Sequence, residues 1–365
     1  MLTYKTKRNI ARILPFGIIW LVFGWVFLLI EHAALDGSNY FPTTAIQLDF
    51  RVFMFASLAV TLVGLSVGAI ELLFLNKRFT SKTLLQKIIY KLLFYICFLF
   101  LVMLIAFPVA ASIQLQTTIL DQAVWIKFIA YLSSITLLST AVQLSVSLVA
   151  SLLYSEISEN LGQGVLLNFF TGKYHTPKEE NRIFMFADMK SSTTIAEKLG
   201  HIEYFELLKT YYQVLAPPIV KHAGEVYQYV GDEIVISWKL KNGLENNNCL
   251  RAFFEMQRAL TNHAEIFEKR FGLMPSFKAG LHYGLVTTGE IGELKKDIIF
   301  TGDVLNATAR LQSMCNDYRV DNIISSELLE MLNLNDTFKI QTLGTQELKG
   351  KKEKVSLATL SLNEG

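Results

Sequence analysis

The chain is poor in the residues that build metal-binding or disulfide-stabilised folds, with 3 cysteines and 6 histidines in 365 residues. The cysteines, Cys97, Cys249 and Cys315, are far apart in the sequence and form no spacing typical of a metal site. We therefore expect free thiols in a reducing compartment. His32 is the one histidine before residue 175, which argues against a pair of histidine ligands for haem in the N-terminal half.

Neither sign of charge predominates, because 34 basic and 32 acidic residues leave a net charge of +2. This balance gives no reason to expect nucleic-acid binding. Most of the charge follows residue 155, whereas the apolar residues concentrate before it. With 52% hydrophobic residues the chain is too apolar for a soluble protein of this length, and its length predicts two or three domains.

Four stretches are long and apolar enough to span a bilayer, which takes roughly 20 residues each. They have no polar face, which argues against buried helices of a soluble bundle. The first is too long for a signal peptide, and no small-residue cleavage site follows it. These predicted spans cover about 13–35, 52–75, 90–112 and 125–150.

Basic residues predict the orientation of the spans. The two loops expected outside, 36–51 and 113–124, contain a single basic residue, Arg51, and both are too short for a folded sensor domain. We therefore expect a multi-pass protein of the cell inner or plasma membrane, with both termini and the C-terminal half in the cytoplasm. The supporting residues are Lys5, Lys7, Arg8 and Arg12 before the first span, and Lys77, Arg78, Lys82, Lys87 and Lys91 between the second and third.

A few polar and aromatic side chains within the spans could serve packing or function. Trp20 and Trp25 in the first span could pack or face a ligand, and Trp125 is expected at the membrane interface. Glu71 lies near the cytoplasmic end of the second span, where we expect its carboxylate to reach the interface.

Residues 153–179 are expected to connect the spans to the rest of the chain. Five apolar residues recur at helical spacing and can share a face: Leu153, Ile157, Leu161, Val165 and Leu166. Gly162 and Gly164 weaken such a helix by about 1 kcal/mol each. Such a helix would be marginal alone and plausible when paired with a second copy. A passive linker and a signal-transmitting helix both remain open, and the charged segment KEEN marks the end of the connector.

The C-terminal half mixes strand-like and helix-like patterns, which predicts an α+β sandwich with helices on one sheet face. Helices are predicted from about 192 to 222, and Pro217 and Pro218 are expected to break or kink the second of them. The predicted strands are 182–187, 224–230, 233–239, 277–288, 297–301, 337–343 and 354–360, with further helices near 247–271 and ending near 316.

Two aspartates lie at the ends of predicted strands. Asp188 follows the apolar run RIFMF, and Asp232 lies on the tight turn of VYQYVGDEIVISW. Carboxylates at adjacent strand ends can hold two divalent cations, an arrangement that activates one oxygen of a phosphate ester and stabilises the leaving one. The backbone that enters a helix through KSST offers N–H groups to a polyphosphate. Taken alone, however, an aspartate at a strand end is usually a turn former or a helix cap.

Five segments, in order, resemble the catalytic domain of the class III adenylate and guanylate cyclases. FMFADMKSSTTIAEKLG resembles the first metal-aspartate segment, and AGEVYQYVGDEIVISW the second. GLHYGLVTTGEIG is similar to the core strand that follows, FTGDVLNATARLQSM to the asparagine and arginine segment, and LKGKKEKVSLATL to the terminal strand pair. The likeness covers about 180–361 and implies a ferredoxin-like βαββαβ core.

The resemblance implies a role at each matching position. Asp188, Asp232 and the Met189 backbone would bind two Mg²⁺ or Mn²⁺ ions. Asn306 would orient the ribose, and Arg310, one helical turn later, would neutralise charge on the phosphates. The implied nucleotide-binding residues are Ser192, Thr193, Gln228, Ile299 and Lys349.

Three positions depart from the family pattern. Ser191 stands where glycine is usual, three residues after the first aspartate. Gln228 replaces a base-selecting lysine or glutamate, and Ile299 replaces aspartate, threonine or cysteine. A glutamine amide carries donors and an acceptor and can bond adenine or guanine, so these residues do not fix the base. ATP is the prediction because adenylate cyclases are the more common bacterial-type members.

The sequence thus predicts a membrane-bound enzyme that converts ATP to 3′,5′-cyclic AMP and pyrophosphate. A homodimer follows from the resemblance, because the family builds its site between two catalytic domains and this chain has one. The predicted parts are a four-helix transmembrane region at 1–152, the connector at 153–179 and the cyclase domain at 180–361.

Three other functions are considered. A guanylate cyclase and a degenerate domain that senses nucleotide without turnover both remain open. A diguanylate-cyclase-like enzyme is disfavoured, because that signature needs two glycines before Asp-Glu and Val230 precedes Gly231 here.

Overall fold

The computed structural model describes residues 3–36, 46, 49–75, 78, 84–161, 172–294, 296–334, 337–347 and 354–363. The chain divides into two compact units. The N-terminal unit is Thr6–Gly162, and the C-terminal unit is Gln163–Gly365 together with Met1–Lys5.

The described part of the N-terminal unit is helical. Four of its helices are long and apolar enough to cross a membrane, at Tyr4–Ala33, Phe50–Leu75, Ile89–Leu115 and Ile135–Glu159. The helices are α1 (Tyr4–Asp36), α2 (Phe50–Ile70, continued by a π-helical turn at Glu71–Leu75), α3 (Leu84–Leu115), α4 (Gln122–Leu132) and α5 (Ile135–Leu161).

The predicted fourth span at 125–150 is wrong in its placement. The chain forms the short helix α4, leaves the helical conformation at Ser133, and starts again as α5 at Ile135. The hydroxyls of Ser133 and Ser134 donate to the carbonyl oxygens of Ala130 and Tyr131, at 3.1 Å and 2.7 Å. Such local side-chain bonds compete with a continuous helix, so the long helix lies ten residues later than predicted.

Glu71 does not reach an interface as predicted, because its side chain is only 2% exposed. Lys91 of α3 forms an ion pair with one carboxylate oxygen. The hydroxyl of Tyr95 donates to the other oxygen at 2.8 Å. The carboxylate is therefore a paired group that joins the end of α2 to α3.

The two tryptophans of α1 differ in their surroundings. Trp20 is 1% exposed, and its Nε1 donates to Ser151 Oγ on α5 at 3.3 Å. Trp25 is exposed, donates to Ser57 of α2 at 2.9 Å, and stacks on Phe53. Both side chains therefore contribute to helix packing.

The predicted connector is helical in its first part. α5 continues through Leu153 and Ile157 to Leu161, and Glu159 on it forms an ion pair with Arg12 of α1 at 2.6 Å. The next predicted positions, including Gly162 and Gly164, lie outside the described residues.

The C-terminal unit is built on one eight-stranded sheet. The strands are β1 (Lys178–Met189), β2 (Glu225–Val230), β3 (Glu233–Lys239), β4 (Phe277–Ile291), β5 (Asp297–Thr301), β6 (Asn322–Ser325), β7 (Phe338–Glu347) and β8 (Lys354–Leu362). Their order is β2-β3-β1-β4-β6-β8-β7, with β5 paired to β4. β4 and β6 run parallel, and the other pairs are antiparallel.

Helices cover both faces of this sheet, so the predicted single helical face is wrong. β1 buries Ile183 and Met185 in a cluster with α7 and α9 on one face, and Phe184 with Val304 of α11 on the other. The uninterrupted apolar run of β1 is the physical reason, because a strand buried on both faces does not alternate. The helices are α6 (Ser192–Leu199), α7 (His201–Lys221), α8 (Leu240–Leu244), α9 (Asn248–Asn262), α10 (Ala264–Phe271), α11 (Asp303–Tyr318) and α12 (Ser326–Met331).

Pro217 and Pro218 do not end α7, which continues through both to Lys221. They lie near the end of a helix whose buried face holds it against the core, so tertiary packing outweighs two missing N–H donors. The helices predicted from about 192 to 222 are α6 and α7, and Gly200, with a φ of 76°, separates them. The three cysteines are free, as predicted.

Candidate active site

The two aspartates singled out in the sequence lie side by side at one end of the sheet. Asp188 is the penultimate residue of β1, and Asp232 lies on the turn between β2 and β3. Antiparallel pairing of β1 with β3 sets Asp188 opposite Glu233, which brings the turn to the end of β1. The Asp188 and Asp232 carboxyl groups share a hydrogen bond.

A left-handed residue stands beside each aspartate. Gly231, with a φ of 62°, forms the turn before Asp232. Ser191, with φ 55° and ψ 29°, forms the turn after β1 and precedes α6. Ser191 adopts a conformation that favours glycine, so the replacement of the usual glycine keeps the backbone turn at some cost in strain.

The carboxylates repel each other in a partly desolvated site. Burial, followed by the hydrogen bond and charge of Asp232, raises the pKa of Asp188 to about 6. Burial and the charges of both aspartates raise the pKa of Glu233 to about 7. One oxygen of Asp232, Oδ2, is buried and has no hydrogen-bond partner among the described residues.

Two side chains that the sequence reading missed hold Asp188 in place. The amide of Gln312 donates to Asp188 Oδ2 at 3.1 Å. Lys278, opposite Asp188 on β4, places its Nζ 3.7 Å from the same oxygen. Both lower the pKa of Asp188, against the larger effect of burial. The signal for Gln312 in the sequence is weak: with Thr308 it is one of two polar residues on a buried face of α11 that is otherwise apolar.

Gln312 reaches Asp188 because α11 packs directly on β4. A Cβ added to Gly280 would lie 2.5 Å from the carbonyl oxygen of Thr308, a distance that real Cβ atoms do not show. Glycine is thus required at this point of contact between helix and strand. The motif residues of α11 depend on it for their position.

The aspartate pair fits a divalent cation. A cation between two carboxylates relieves their repulsion and gives the buried Asp232 oxygen a partner. Within the described ranges, no group of three or more His, Cys, Asp or Glu side chains is arranged around a metal position. Further ligands would therefore be backbone, water or phosphate oxygens. Met189 adjoins Asp188, and only its backbone is suitable because its side chain is buried in the core.

Asn306 and Arg310 lie on α11 but on a different face from Gln312. Arg310 and Gln312 are two residues apart, which is about 200° around a helix. Because Gln312 points to Asp188, the face that carries Asn306 and Arg310 is turned away from it. Gln312 and the pair of Asn306 and Arg310 therefore point in different directions from α11.

The two predicted base positions adjoin a contact between β2 and β5. The backbone N–H of Phe300 donates to the Tyr227 hydroxyl at 3.3 Å, and the two rings are 4.8 Å apart. Gln228 and Ile299 are the sequence neighbours of these two residues. Gln228 is exposed, at a register irregularity of β2, and Ile299 is half-buried opposite Gly289.

The remaining predicted contacts lie near the first aspartate or outside the described residues. Ser192 and Thr193 are the first residues of α6. Ser192 is half-buried and hydrogen-bonded to Tyr204, and Thr193 is exposed. Lys349 lies outside the described residues.

Comparison with known proteins decides the family. Residues 174–361 match the adenylate and guanylate cyclase catalytic domain. The chain belongs to this family. The chain is 34% identical to adenylate cyclase 2 of Rhizobium meliloti (strain 1021) over 57% of its length, and 27% identical to human (Homo sapiens) retinal guanylyl cyclase 2 over 46%.

This cyclase-family chain spans only part of those relatives, 57% of the length of the first and 15% of the second. Among solved structures, a bacterial light-regulated adenylyl cyclase matches with a TM-score of 0.52 and 21% identity. That match covers 61% of this chain and 65% of the other. The predicted family and the mixed α/β catalytic fold are thus confirmed, and cyclase domains of this class generally use divalent metals.

Proposed function

We propose that this protein is a membrane-anchored adenylate cyclase that converts ATP to 3′,5′-cyclic AMP and pyrophosphate. The observation that carries the proposal is the hydrogen-bonded pair of Asp188 and Asp232 at one end of the sheet. Two carboxylates would repel a triphosphate unless metal cations lie between them. An aspartate pair in a nucleotide site therefore indicates bound cations. The relative at 34% identity is named an adenylate cyclase, whereas the guanylyl cyclase is 27% identical.

Asp188, Asp232 and the Met189 backbone would hold two Mg²⁺ or Mn²⁺ ions. When bound, these ions supply Lewis acidity that lowers the pKa of the ribose 3′-hydroxyl and stabilises charge on the phosphates. Gln312 and Lys278 fix the orientation of the Asp188 carboxylate through its Oδ2 atom. Ser192, Thr193 and the N–H groups at the start of α6 would face the phosphates, as would Lys349.

The reaction then needs a second copy of the chain. Asn306 and Arg310 share a face that is turned away from Asp188, so they would act in the partner's site, on the ribose and the phosphates. A two-fold symmetric homodimer would have two such sites. The ferredoxin-like βαββαβ core is supported by the strand order β2-β3-β1-β4, antiparallel throughout.

The four long apolar helices would anchor the enzyme in the inner or plasma membrane. The N-terminus and the catalytic domain would lie in the cytoplasm, which the distribution of basic residues in the sequence supports. In this arrangement residues 1–152 span the membrane, 153–179 connect and 180–361 catalyse. The helical continuation of α5 to Leu161 supports a connector that transmits helix movement.

A guanylate cyclase is the second candidate, because the exposed amide of Gln228 can bond guanine as well as adenine. The test uses the full chain in lipid nanodiscs with Mn²⁺ and either ATP or GTP, with products identified by mass. We expect cyclic AMP from the wild type and from a control variant of the exposed Asp317, Asp317→Asn, and none from Asp188→Asn. Faster cyclic GMP formation would support the second candidate. Nucleotide binding without either product would support a sensing module.

A further inference from the structure

A cavity of about 240 Å³ lies in the N-terminal unit between α1, α2, α3 and α5. Small side chains line part of the cavity, because alanine and valine recur every three or four residues along one stripe of α2 and of α3. In membrane helices small side chains usually let two backbones approach closely. Here they leave a space instead, lined by Ala56, Ala59 and Val63 of α2 and Val102, Ala106 and Ala110 of α3.

Hydrogen-bond acceptors line one part of this apolar space. The half-buried carboxylate of Glu31 lines it from α1, and no described residue forms a hydrogen bond or ion pair with it, the neighbouring His32 included. The hydroxyl of Thr140 donates to the Thr136 carbonyl at 3.0 Å, and the Thr140 side chain is also hydrogen-bonded to the hydroxyl of Tyr131, which lines the cavity too. The amide of Gln143, on α5, also lines the cavity.

We propose that this cavity is a binding site for a small amphipathic molecule with a cationic, hydrogen-bond-donating head, such as a primary amine. Charge complementarity favours this head, because Glu31 is half-buried near the end of the first span without an ion pair among the described residues, and an ammonium group supplies a charge and three donors. A cavity of 150 Å³ holds benzene, so a cavity of about 240 Å³ holds about ten non-hydrogen atoms. The proposal rests on insertion of the N-terminal helices in a bilayer, and not on cyclase turnover.

Such a ligand would connect the helices at the cavity to the connector. It would contact α1 through Glu31 and α5 through Thr140 and Gln143. α5 then continues without interruption to Leu161. A bound amine would therefore contact the helix that leads toward the catalytic domain. The cavity could thus receive a signal even though the loops between the predicted spans are too short for a folded sensor domain.

The test uses the full chain in lipid nanodiscs and 6-bromohexylamine as the probe. Trp20 lines the cavity, and bromine quenches indole fluorescence on contact. We expect saturable quenching by 6-bromohexylamine, and at least tenfold weaker quenching by 6-bromohexanoate and 6-bromohexanol, which share the chain but not the head. Trp20→Phe should remove the saturable part. Quenching that rises linearly with probe concentration, or that is equal for the three head groups, would overturn the proposal.

Variants separate the site from partition into lipid. Glu31→Gln keeps the shape of the side chain and should weaken amine binding at least tenfold. Ala59→Phe should fill the cavity and abolish binding, whereas Leu58→Phe, on the exposed side of α2, should leave it unchanged. Thermal unfolding of each variant checks that it is folded. Unchanged amine affinity in folded Glu31→Gln would contradict the proposal, whether or not the protein makes cyclic AMP.

Discussion

The two units of the molecule bury acidic side chains in opposite ways. Glu71, in the helical unit, is bonded to Lys91 and Tyr95, so both of its carboxylate oxygens have partners. Asp188, in the sheet unit, lies beside Asp232, which adds to the effect of burial in raising the pKa of Asp188, and both aspartates help to raise the pKa of Glu233. In the first arrangement opposite charge and hydrogen bonds balance the carboxylate, whereas in the second a bound cation would relieve the repulsion. A buried carboxylate therefore points to function where its close neighbours carry the same charge rather than the opposite one.

Asp188→Asn should give the largest effect of these variants: a loss of cyclase activity together with a gain in stability. We expect cyclase activity to fall by about 1,000-fold, corresponding to about 4 kcal/mol of transition-state stabilisation. Burial and Asp232 disfavour the ionised form of Asp188 in the folded state, so removing the charge should raise the thermal midpoint of the metal-free protein above pH 6. Calorimetry and product assays on the same samples measure both. A variant that loses stability as well as activity would show that Asp188 is structural.

Glu71→Gln should show the opposite pattern. The change leaves Lys91 without its counter-charge, and breaking a buried ion pair costs roughly 3 kcal/mol. Tyr95→Phe, the milder control, removes one hydrogen bond worth about 1 kcal/mol. Unfolding of the full chain in detergent should rank the variants in this order, with Mn²⁺ affinity unchanged. If Glu71→Gln is as stable as the wild type, the pairing does not stabilise the helices.

The raised pKa values predict that metal binding depends on pH. A cation needs Asp188 ionised, and below its pKa of about 6 a proton competes for the carboxylate. For one competing proton, Mn²⁺ affinity should fall about tenfold between pH 7.5 and pH 5, with release of a proton on binding. Electron paramagnetic resonance of free Mn²⁺ measures the affinity at each pH. Constant affinity over that range would show that the aspartates are ionised before the metal arrives.

Substitutions in the turns beside the aspartates should change the free energy of unfolding least. Ser191→Gly relieves left-handed strain of about 1 kcal/mol but adds freedom to the unfolded chain, so the net change should be within about 0.5 kcal/mol. Gly231→Ala adds a Cβ to a left-handed residue and should cost about 1 kcal/mol, although no atom lies within 4 Å of that Cβ. Denaturant unfolding compares the two. A stabilisation well above 0.5 kcal/mol for Ser191→Gly would mean that strain at this turn is larger than its backbone angles suggest.

The same contrast explains what the sequence could and could not predict. The approximate strand and helix positions and the two aspartates were readable because they depend on local periodicity and short segments. The pairing of Glu71 was not, because Lys91 and Tyr95 lie on another helix and become neighbours only through packing. The break at Ser133 and Ser134 was overlooked because the apolar pattern continues through it, although serine side chains can cap a helix locally.

Within the catalytic unit, the sequence could not predict contacts between residues on different helices and strands. Nothing in the segment of Asp188 shows that Gln312, 124 residues later, holds its carboxylate. That contact depends on Gly280, which lets α11 lie directly on β4. The helical spacing of Asn306 and Arg310 predicted that they share a face. Which way this face points required the position of Gln312 on the same helix.

The central claim is that one chain supplies half of each active site. Co-expression of Asp188→Asn and Arg310→Ala full-length chains tests it most directly, with cyclic AMP production as the readout and different tags to show that the two chains co-purify. Each variant alone should be nearly inactive. A mixed dimer carries both lesions in one site and leaves the other intact, and random pairing makes about half of the dimers mixed. We predict recovery of about a quarter of wild-type activity. No recovery from chains that demonstrably pair would place the aspartates, Asn306 and Arg310 in the site of a single chain and contradict the account.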